Sequence, residues 1–267
     1  MGIFAGKKGL ILGVANSRSI ATGIAEFLTR QGAEIGYSYL PDDKNKNEAR
    51  VRKALDAYHP SWLYPCNVDK DEDVEKLFMH AKAQFSQVDF VVHAIAYAPL
   101  EEIRCATLDV SRGGFLRAMD TSVYSFIKVA HHAAPIMSAG GSLLTLSYYG
   151  GEKVVPGYNL MGLAKAALEC SVRYLANDLG PKNIRVNAIS AGPVKTLAAS
   201  AIGDFGSMLD MAAQSAPLRR TVSLEELGGA AGFLLGPWSG GMTGEIMHVD
   251  CGYNILSVPP KASTSSS

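Results

Sequence analysis

Two side chains of complementary chemistry, Tyr158 and Lys165, stand seven positions apart in Tyr158-Asn159-Leu160-Met161-Gly162-Leu163-Ala164-Lys165. Seven residues make two turns of an α-helix, so both project from one face if the stretch is regular. A tyrosine with its ordinary pKa of about 10 stays protonated at neutral pH. It can then hydrogen-bond a carbonyl oxygen that gains negative charge during hydride transfer. A lysine beside it can hold ribose hydroxyls and add positive potential. Just upstream, Ser147-Tyr148-Tyr149-Gly150-Gly151 closes a β-rich run, which brings Tyr148 into the same neighbourhood. One Tyr and one Lys at this spacing mean little in isolation; their place after a strand end gives them weight, because that is where a doubly wound sheet puts its ligand.

A second chemical end lies near the N-terminus, where Gly13-Val14-Ala15-Asn16-Ser17-Arg18-Ser19-Ile20 follows a short apolar run. A tight turn over a pyrophosphate needs glycine first, and the amides opening the next helix, near Ser19 and Ile20, would face the phosphates. The spacing is not Gly-x-Gly-x-x-Gly, so the dinucleotide reading rests on the strand, turn and helix together. After the second β-rich run come Leu40, Pro41, Asp42 and Asp43, with no arginine to meet a 2′-phosphate. That leans towards NADH over NADPH, although Lys44 and Lys46 follow closely. Asn67 and Val68, past the third run, are placed for an adenine edge. Past the fourth, His93-Ala94-Ile95-Ala96 should run under the nicotinamide-side ribose, with His93 itself read as a satisfied core histidine.

The elements that must position these groups alternate. Gly9–Leu12, Ile35–Tyr39, Trp62–Cys66, Phe90–Ala94, Leu143–Ser147, Ile184–Ile189 and Ile246–Val249 read as strands, several of them apolar enough to be covered on both faces. Ile20, Ile24 and Leu28 mark a helix stripe closed by Gly32, and Asp71–Phe85, Phe115–Met137, Asn159–Leu179 and Leu224–Leu235 read as further helices. Sustained strand–helix alternation predicts one α/β domain over residues 1–258, a Rossmann-type, doubly wound parallel sheet of about seven strands. Residues 259–267 have nothing to bury and read as a disordered tail.

The 267 residues are 48% hydrophobic and 19% charged, enough for a large core. The 25 basic and 25 acidic side chains cancel, which argues against a nucleic-acid surface. No apolar stretch reaches the roughly 20 residues of a membrane span, and no signal peptide is expected ahead of the first strand. The four cysteines are scattered, so reduced thiols in a cytoplasmic protein are expected and no metal site is. The longest stretch without a clean pattern, Ala191–Pro217, carries Leu197, Ile202, Phe205, Met208, Leu209 and Met211. It reads either as a helical excursion packed on the core or as a mobile apolar lid near 194–217 that meets a greasy substrate.

Over Lys7 to about Ile255 the chain resembles the short-chain dehydrogenase/reductase family. Ordinary members carry Tyr-x-x-x-Lys, but Gly162 occupies the place of that lysine. The longer Tyr-x6-Lys spacing resembles the divergent enoyl-acyl-carrier-protein reductase branch. Leu143–Tyr148, Arg185-Val186-Asn187-Ala188-Ile189-Ser190-Ala191-Gly192-Pro193, Thr196-Leu197-Ala198-Ala199 and Pro217-Leu218-Arg219-Arg220 support it in the right order. The resemblance implies that Tyr158 bonds the thioester oxygen of an enoyl substrate, Lys165 binds the nicotinamide ribose of NADH, and Tyr148 orients the thioester. It further implies cofactor contacts at Gly13, Ser19, Ile20, Leu40, Asn67, Val68, Ile95, Val194, Lys195, Thr196, Leu197 and Ala198, and a substrate contact at Ala98. An acyl-carrier protein as partner and a homotetramer are implied as well. Asn67 stands where many relatives have aspartate, Leu40 replaces a glutamine of some members, and Lys195 stands where arginine is frequent. The rival reading is a carbonyl reductase of the same superfamily, acting for instance on 3-oxoacyl thioesters, and Gly162 is the feature against it. A nucleotide-binding sensor would need none of Tyr148, Tyr158 and Lys165.

Overall fold

The computed structural model describes residues 2–194 and 205–257. The strands are β1 (Lys8–Leu12), β2 (Glu34–Tyr39), β3 (Trp62–Pro65), β4 (Phe90–His93), β5 (Gly141–Ser147), β6 (Ile184–Ala191) and β7 (Ile246–Val249). They form a single sheet in the order β3-β2-β1-β4-β5-β6-β7, and every neighbouring pair is parallel. All seven strands stand where the apolar runs place them. The order reverses between β1 and β4, and a crevice opens at such a point outside the carboxyl ends of the strands.

The helices are α1 (Ile20–Arg30), α2 (Lys46–Leu55), α3 (Asp71–Phe85), α4 (Leu100–Arg104), α5 (Arg112–Met119), α6 (Ser125–Ala133), α7 (Asn159–Leu179), α8 (Phe205–Ser215) and α9 (Leu224–Leu235). One core cluster joins α3, α6 and α7 to one face of the sheet, and the other joins α1 and α9 to the opposite face. β4 carries Phe90, Val91, Val92 and His93, all buried, as expected of a strand covered on both sides. α1 and α9 approach closely enough that a β-carbon on Gly228 would lie 2.7 Å from the Gly23 carbonyl oxygen.

Three elements differ from expectation. The single helix expected over Phe115–Met137 is α5 and α6 joined by a π-helical turn, Asp120–Tyr124, and followed by a 3₁₀ turn. Side chains in the π turn bond outside the helix: Thr121 Oγ1 donates to Asp69 Oδ1 at 2.6 Å, and Ser122 Oγ donates to the Tyr97 carbonyl at 3.0 Å. α2 has no counterpart among the expected helices, because only Val51 and Leu55 are buried and they mark no stripe. In the Ala191–Pro217 stretch, Phe205–Ser215 is helical. Its C-terminal part is anchored by buried Ala212, Ser215 and Ala216, while Met211 is 54% exposed. The rest of the expected lid, residues 195–204, lies outside the described residues, as does the tail 258–267.

Candidate active site

Parallel pairing puts all strand carboxyl ends on one edge, so the described candidates collect there whatever their separation in sequence. Gly13, Ser19 and Ile20 follow β1, Leu40 follows β2, Asn67 and Val68 follow β3, Ile95 and Ala98 follow β4, Tyr148 follows β5, and Val194 follows β6. Lys195, Thr196, Leu197 and Ala198 lie outside the described residues.

At the β1 end, Gly13 has φ +102°, and a β-carbon there would lie 2.2 Å from the Ala94 carbonyl oxygen. Only glycine satisfies both the dihedral and the close approach. Ser19 then shapes the turn: its Oγ accepts from the Ala15 N–H at 3.2 Å and the Asn16 N–H at 3.1 Å, and its own N–H donates to the Asn16 carbonyl. α1 starts at Ile20 directly behind this turn. A backbone cradle at the strand reversal, closed by a helix N-terminus, fits a dinucleotide pyrophosphate.

The β2 end carries exposed Leu40, whose carbonyl accepts from Asn47 Nδ2 at 3.1 Å. The Asp42 carboxylate accepts from the Lys46 and Asn47 amides that open α2. An acidic group is therefore held at the β2 end, at the start of α2. The Asn67 carboxamide oxygen accepts from the Asp69 N–H at 3.1 Å, which leaves its NH₂ as the outward donor. Val68 is buried behind it.

Beyond β4, Ser122 Oγ both receives the Tyr97 N–H and donates to the Tyr97 carbonyl, fixing the loop that carries Ile95 and buried Ala98. His93 is a core residue, as its setting in the sequence suggests. Its Nε2 lies 2.8 Å from Ser125 Oγ and its Nδ1 3.3 Å from Thr145 Oγ1. Burial, reinforced by Lys165, pulls its pKa down to about 3, so the ring is neutral.

The chemical end is built on β5 and α7. Tyr148 leaves β5 in extended conformation, and Tyr158 is the residue before the first turn of α7. Their rings meet edge to face, with centroids 4.7 Å apart and planes at 66°. Lys165 is buried, and its Nζ donates to the Leu146 carbonyl at 2.7 Å. That carbonyl fixes one of three N–H donors and aims the ammonium across the β5 end. Burial pushes the Tyr158 phenol well above its ordinary range, with Tyr148 and Glu169 adding to the effect. Burial likewise pushes Tyr148 up to about 12. Both rings are proton-bearing donors at any physiological pH. Burial lowers Lys165 to about 8, against the pull of Glu169.

Two groups here went unread in the sequence. Ser147 Oγ donates to Glu169 Oε1, and both residues are buried. The signal for Glu169 was present: Lys165 and Glu169 interrupt the otherwise apolar buried stripe Leu160, Met161, Ala164, Leu168, Val172. Among the described residues, no group of three or more His, Cys, Asp or Glu is disposed to hold a metal ion.

A parallel sheet in this order, a glycine turn at the reversal and a Tyr–Lys pair beyond β5 define a dinucleotide-dependent reductase of the short-chain dehydrogenase/reductase type. The model of the family described as enoyl-(acyl carrier protein) reductase matches residues 13–254, and the chain belongs to that family. An enoyl-acyl-carrier-protein reductase (NADH) of Rhizobium meliloti is 51% identical over 255 residues, covering 96% of this chain and 93% of that protein. The crystal structure of the Anaplasma phagocytophilum reductase in complex with NAD superposes with a TM-score of 0.92 at 47% identity, covering 97% of both chains. The Bacillus cereus reductase, solved with NADP+ and an indole naphthyridinone, gives 0.93 at 45% identity, covering 97% of this chain and all of that one.

Proposed function

We propose that the protein is an NADH-dependent enoyl-acyl-carrier-protein reductase that saturates the 2,3 double bond of enoyl thioesters in fatty acid elongation. The observation that carries this reading is Tyr158 at the N-cap of α7 with Lys165 buried two turns into it, and Gly162 in place of the lysine of ordinary members.

NADH, when bound, supplies the hydride that adds to C3 of the enoyl thioester. Tyr158 donates a hydrogen bond to the thioester oxygen, where negative charge builds as C3 is reduced. Because the donor is preorganised and half-buried, that bond strengthens in the transition state; one such donor contributes about 3–4 kcal/mol. Tyr148, packed edge-on against Tyr158, holds the donor ring in place and lines the thioester side of the pocket. Lys165 holds the ribose with the N–H donors not engaged by Leu146 and adds positive potential at the developing oxyanion. Protonation at C2 completes the reduction.

Gly13 and the Ile20 amide would hold the pyrophosphate, with Ser19 shaping the turn. Leu40 would border the adenosine ribose, Asn67 and Val68 the adenine, and Ile95 and Val194 the nicotinamide half. Lys195, Thr196, Leu197 and Ala198, outside the described residues, are further cofactor contacts on this reading, and Ala98 would border the acyl substrate. On this reading α8 would cover the acyl chain, where each buried methylene contributes about 0.8 kcal/mol; the rest of the lid expected near 194–217 lies mostly outside the described residues. The partner is an acyl-carrier protein bearing the thioester, and the working form is a homotetramer in the cytoplasm. No helix among the described residues is long and apolar enough to cross a membrane.

Loss of NADH absorbance with crotonyl or longer enoyl thioesters tests the reading, with a 3-oxoacyl thioester run in parallel. Turnover of the enoyl substrate alone is expected. Preference for the 3-oxoacyl substrate, or turnover of neither, overturns it.

A further inference from the structure

Glu169 lies on the same face of α7 as Lys165, one turn further on, and is 5% exposed. A buried carboxylate is costly unless it is paired and hydrogen-bonded, so its presence in an apolar stripe needs a reason. Its Oε1 accepts from Ser147, the last residue of β5 and the neighbour of Tyr148. The strand-end turn sits directly on it: a β-carbon on Gly151 would lie 2.9 Å from that same oxygen. Lys165 meanwhile binds Leu146, one residue before Ser147. Two consecutive residues of β5 are thus tied by hydrogen bonds to Lys165 and Glu169, one turn apart on one helix face.

We propose that Glu169 is a positioning residue of the reductase site: its buried carboxylate anchors the β5 end through Ser147 and is the counter-charge that keeps Lys165 an ammonium ion. This rests on the reductase reading given above. The groups acting on Glu169 are Ser147, Glu152 in the loop after β5, Arg173 on α7 and His248 on β7. Those acting on Lys165 are Glu169 and burial, while neutral His93 approaches from β4. Burial favours the protonated form of Glu169, whereas Ser147, Arg173 and His248 favour the carboxylate. With the carboxylate present, Lys165 holds its proton to higher pH; with an amide there, burial acts on Lys165 alone.

The test is E169Q, which keeps an acceptor for Ser147 and removes the charge. Trace labelling of amines with acetic anhydride across pH, read by mass spectrometry on the cofactor-free protein, reports the titration of Lys165 itself. The titration should fall by about one pH unit in E169Q, the scale of losing one nearby opposite charge. The alkaline limb of kcat/KM for NADH should move down with it. A structural role alone would lower activity at every pH and leave both midpoints in place, and that result overturns the proposal. If E169Q does not fold, the unaltered protein still decides. The carboxyl-¹³C resonance of Glu169, assigned through E169D, should move in two steps, its own ionisation and a second as Lys165 deprotonates. A single step, or a carboxyl still protonated at pH 7.5, overturns the proposal. Wild-type protein that binds NADH but reduces no enoyl thioester would instead defeat the reductase reading and leave the labelling result standing.

Discussion

The Gly150 carbonyl oxygen rests on Gly162, 2.8 Å from where a β-carbon of residue 162 would stand. The contact seats the turn after β5 on the helix that carries Tyr158 and Lys165, and a β-carbon on Gly150 would in turn lie 2.4 Å from the Tyr158 ring. The lysine of the ordinary Tyr-x-x-x-Lys pattern has no room here. With that position given to backbone packing, the cation sits one turn further along, at Lys165.

Gly162→Ala should therefore cost about 1–3 kcal/mol through overpacking, visible as a lowered Tm, with turnover reduced because the turn must lift. Gly162→Lys, which restores the ordinary spacing, should not confer 3-oxoacyl reduction. A fully stable, fully active Gly162→Ala protein would show that the contact relaxes freely.

Tyr158→Phe should leave NADH affinity near that of wild type and lower kcat by roughly 10- to 1,000-fold, the scale of one lost transition-state hydrogen bond. Lys165→Ala should chiefly weaken NADH binding. Fluorescence titration of NADH alongside steady-state kinetics separates the two effects; the opposite pattern would reverse the assigned roles.

Cofactor choice follows from the β2 end, where Asp42 is committed to the start of α2 and no arginine stands ready. The kcat/KM for NADH should exceed that for NADPH at equal ionic strength. A measured preference for NADPH would point to Lys44 or Lys46 as the phosphate ligand.

His93 sets an acid-side stability signature. Its pKa is about 3 in the folded protein and 6.5 in the unfolded chain. Between those values the unfolded state binds the extra proton, so stability is intact above pH 6.5 and falls as pH drops towards 3. The slope from this group approaches about 1.4 kcal/mol per pH unit well inside the window. Urea unfolding at pH 7.5 and 5.0 should show a smaller loss in His93→Gln than in wild type. Equal losses would mean that the imidazole is not held neutral.

α8 is anchored by Ala212 and Ala216 and exposes Met211. Amide exchange across Phe205–Ser215 should be fast in the free protein and slow with cofactor and acyl substrate bound. Strong, equal protection in both states would make α8 a fixed structural helix.

Strands and sheet class were legible because buried parallel strands advertise themselves as continuous apolar runs, and Tyr158, Lys165 and Gly13 because their spacing relative to strand ends is local. Glu169 was not read, because its partner Ser147 is 22 positions away and only the fold brings them together. The break in the Phe115–Met137 helix was hidden for the same reason: Thr121 and Ser122 take their partners from Asp69 and Tyr97. α2 was missed because a mostly solvated helix leaves almost no periodic trace.

The π turn at Asp120–Tyr124 also sets a phase along the sequence. An α-helical residue advances about 100° around the axis and a residue of the wider π turn advances less, so the extra residue is absorbed within the turn and α6 keeps its orientation to the sheet. What shifts is the periodicity along the sequence, since the buried positions of α6 fall one residue later than those of α5 would dictate. Deleting one residue there would leave a smooth helix with Ser125 still on His93, at the cost of the bonds that Thr121 and Ser122 send to Asp69 and to the loop after β4.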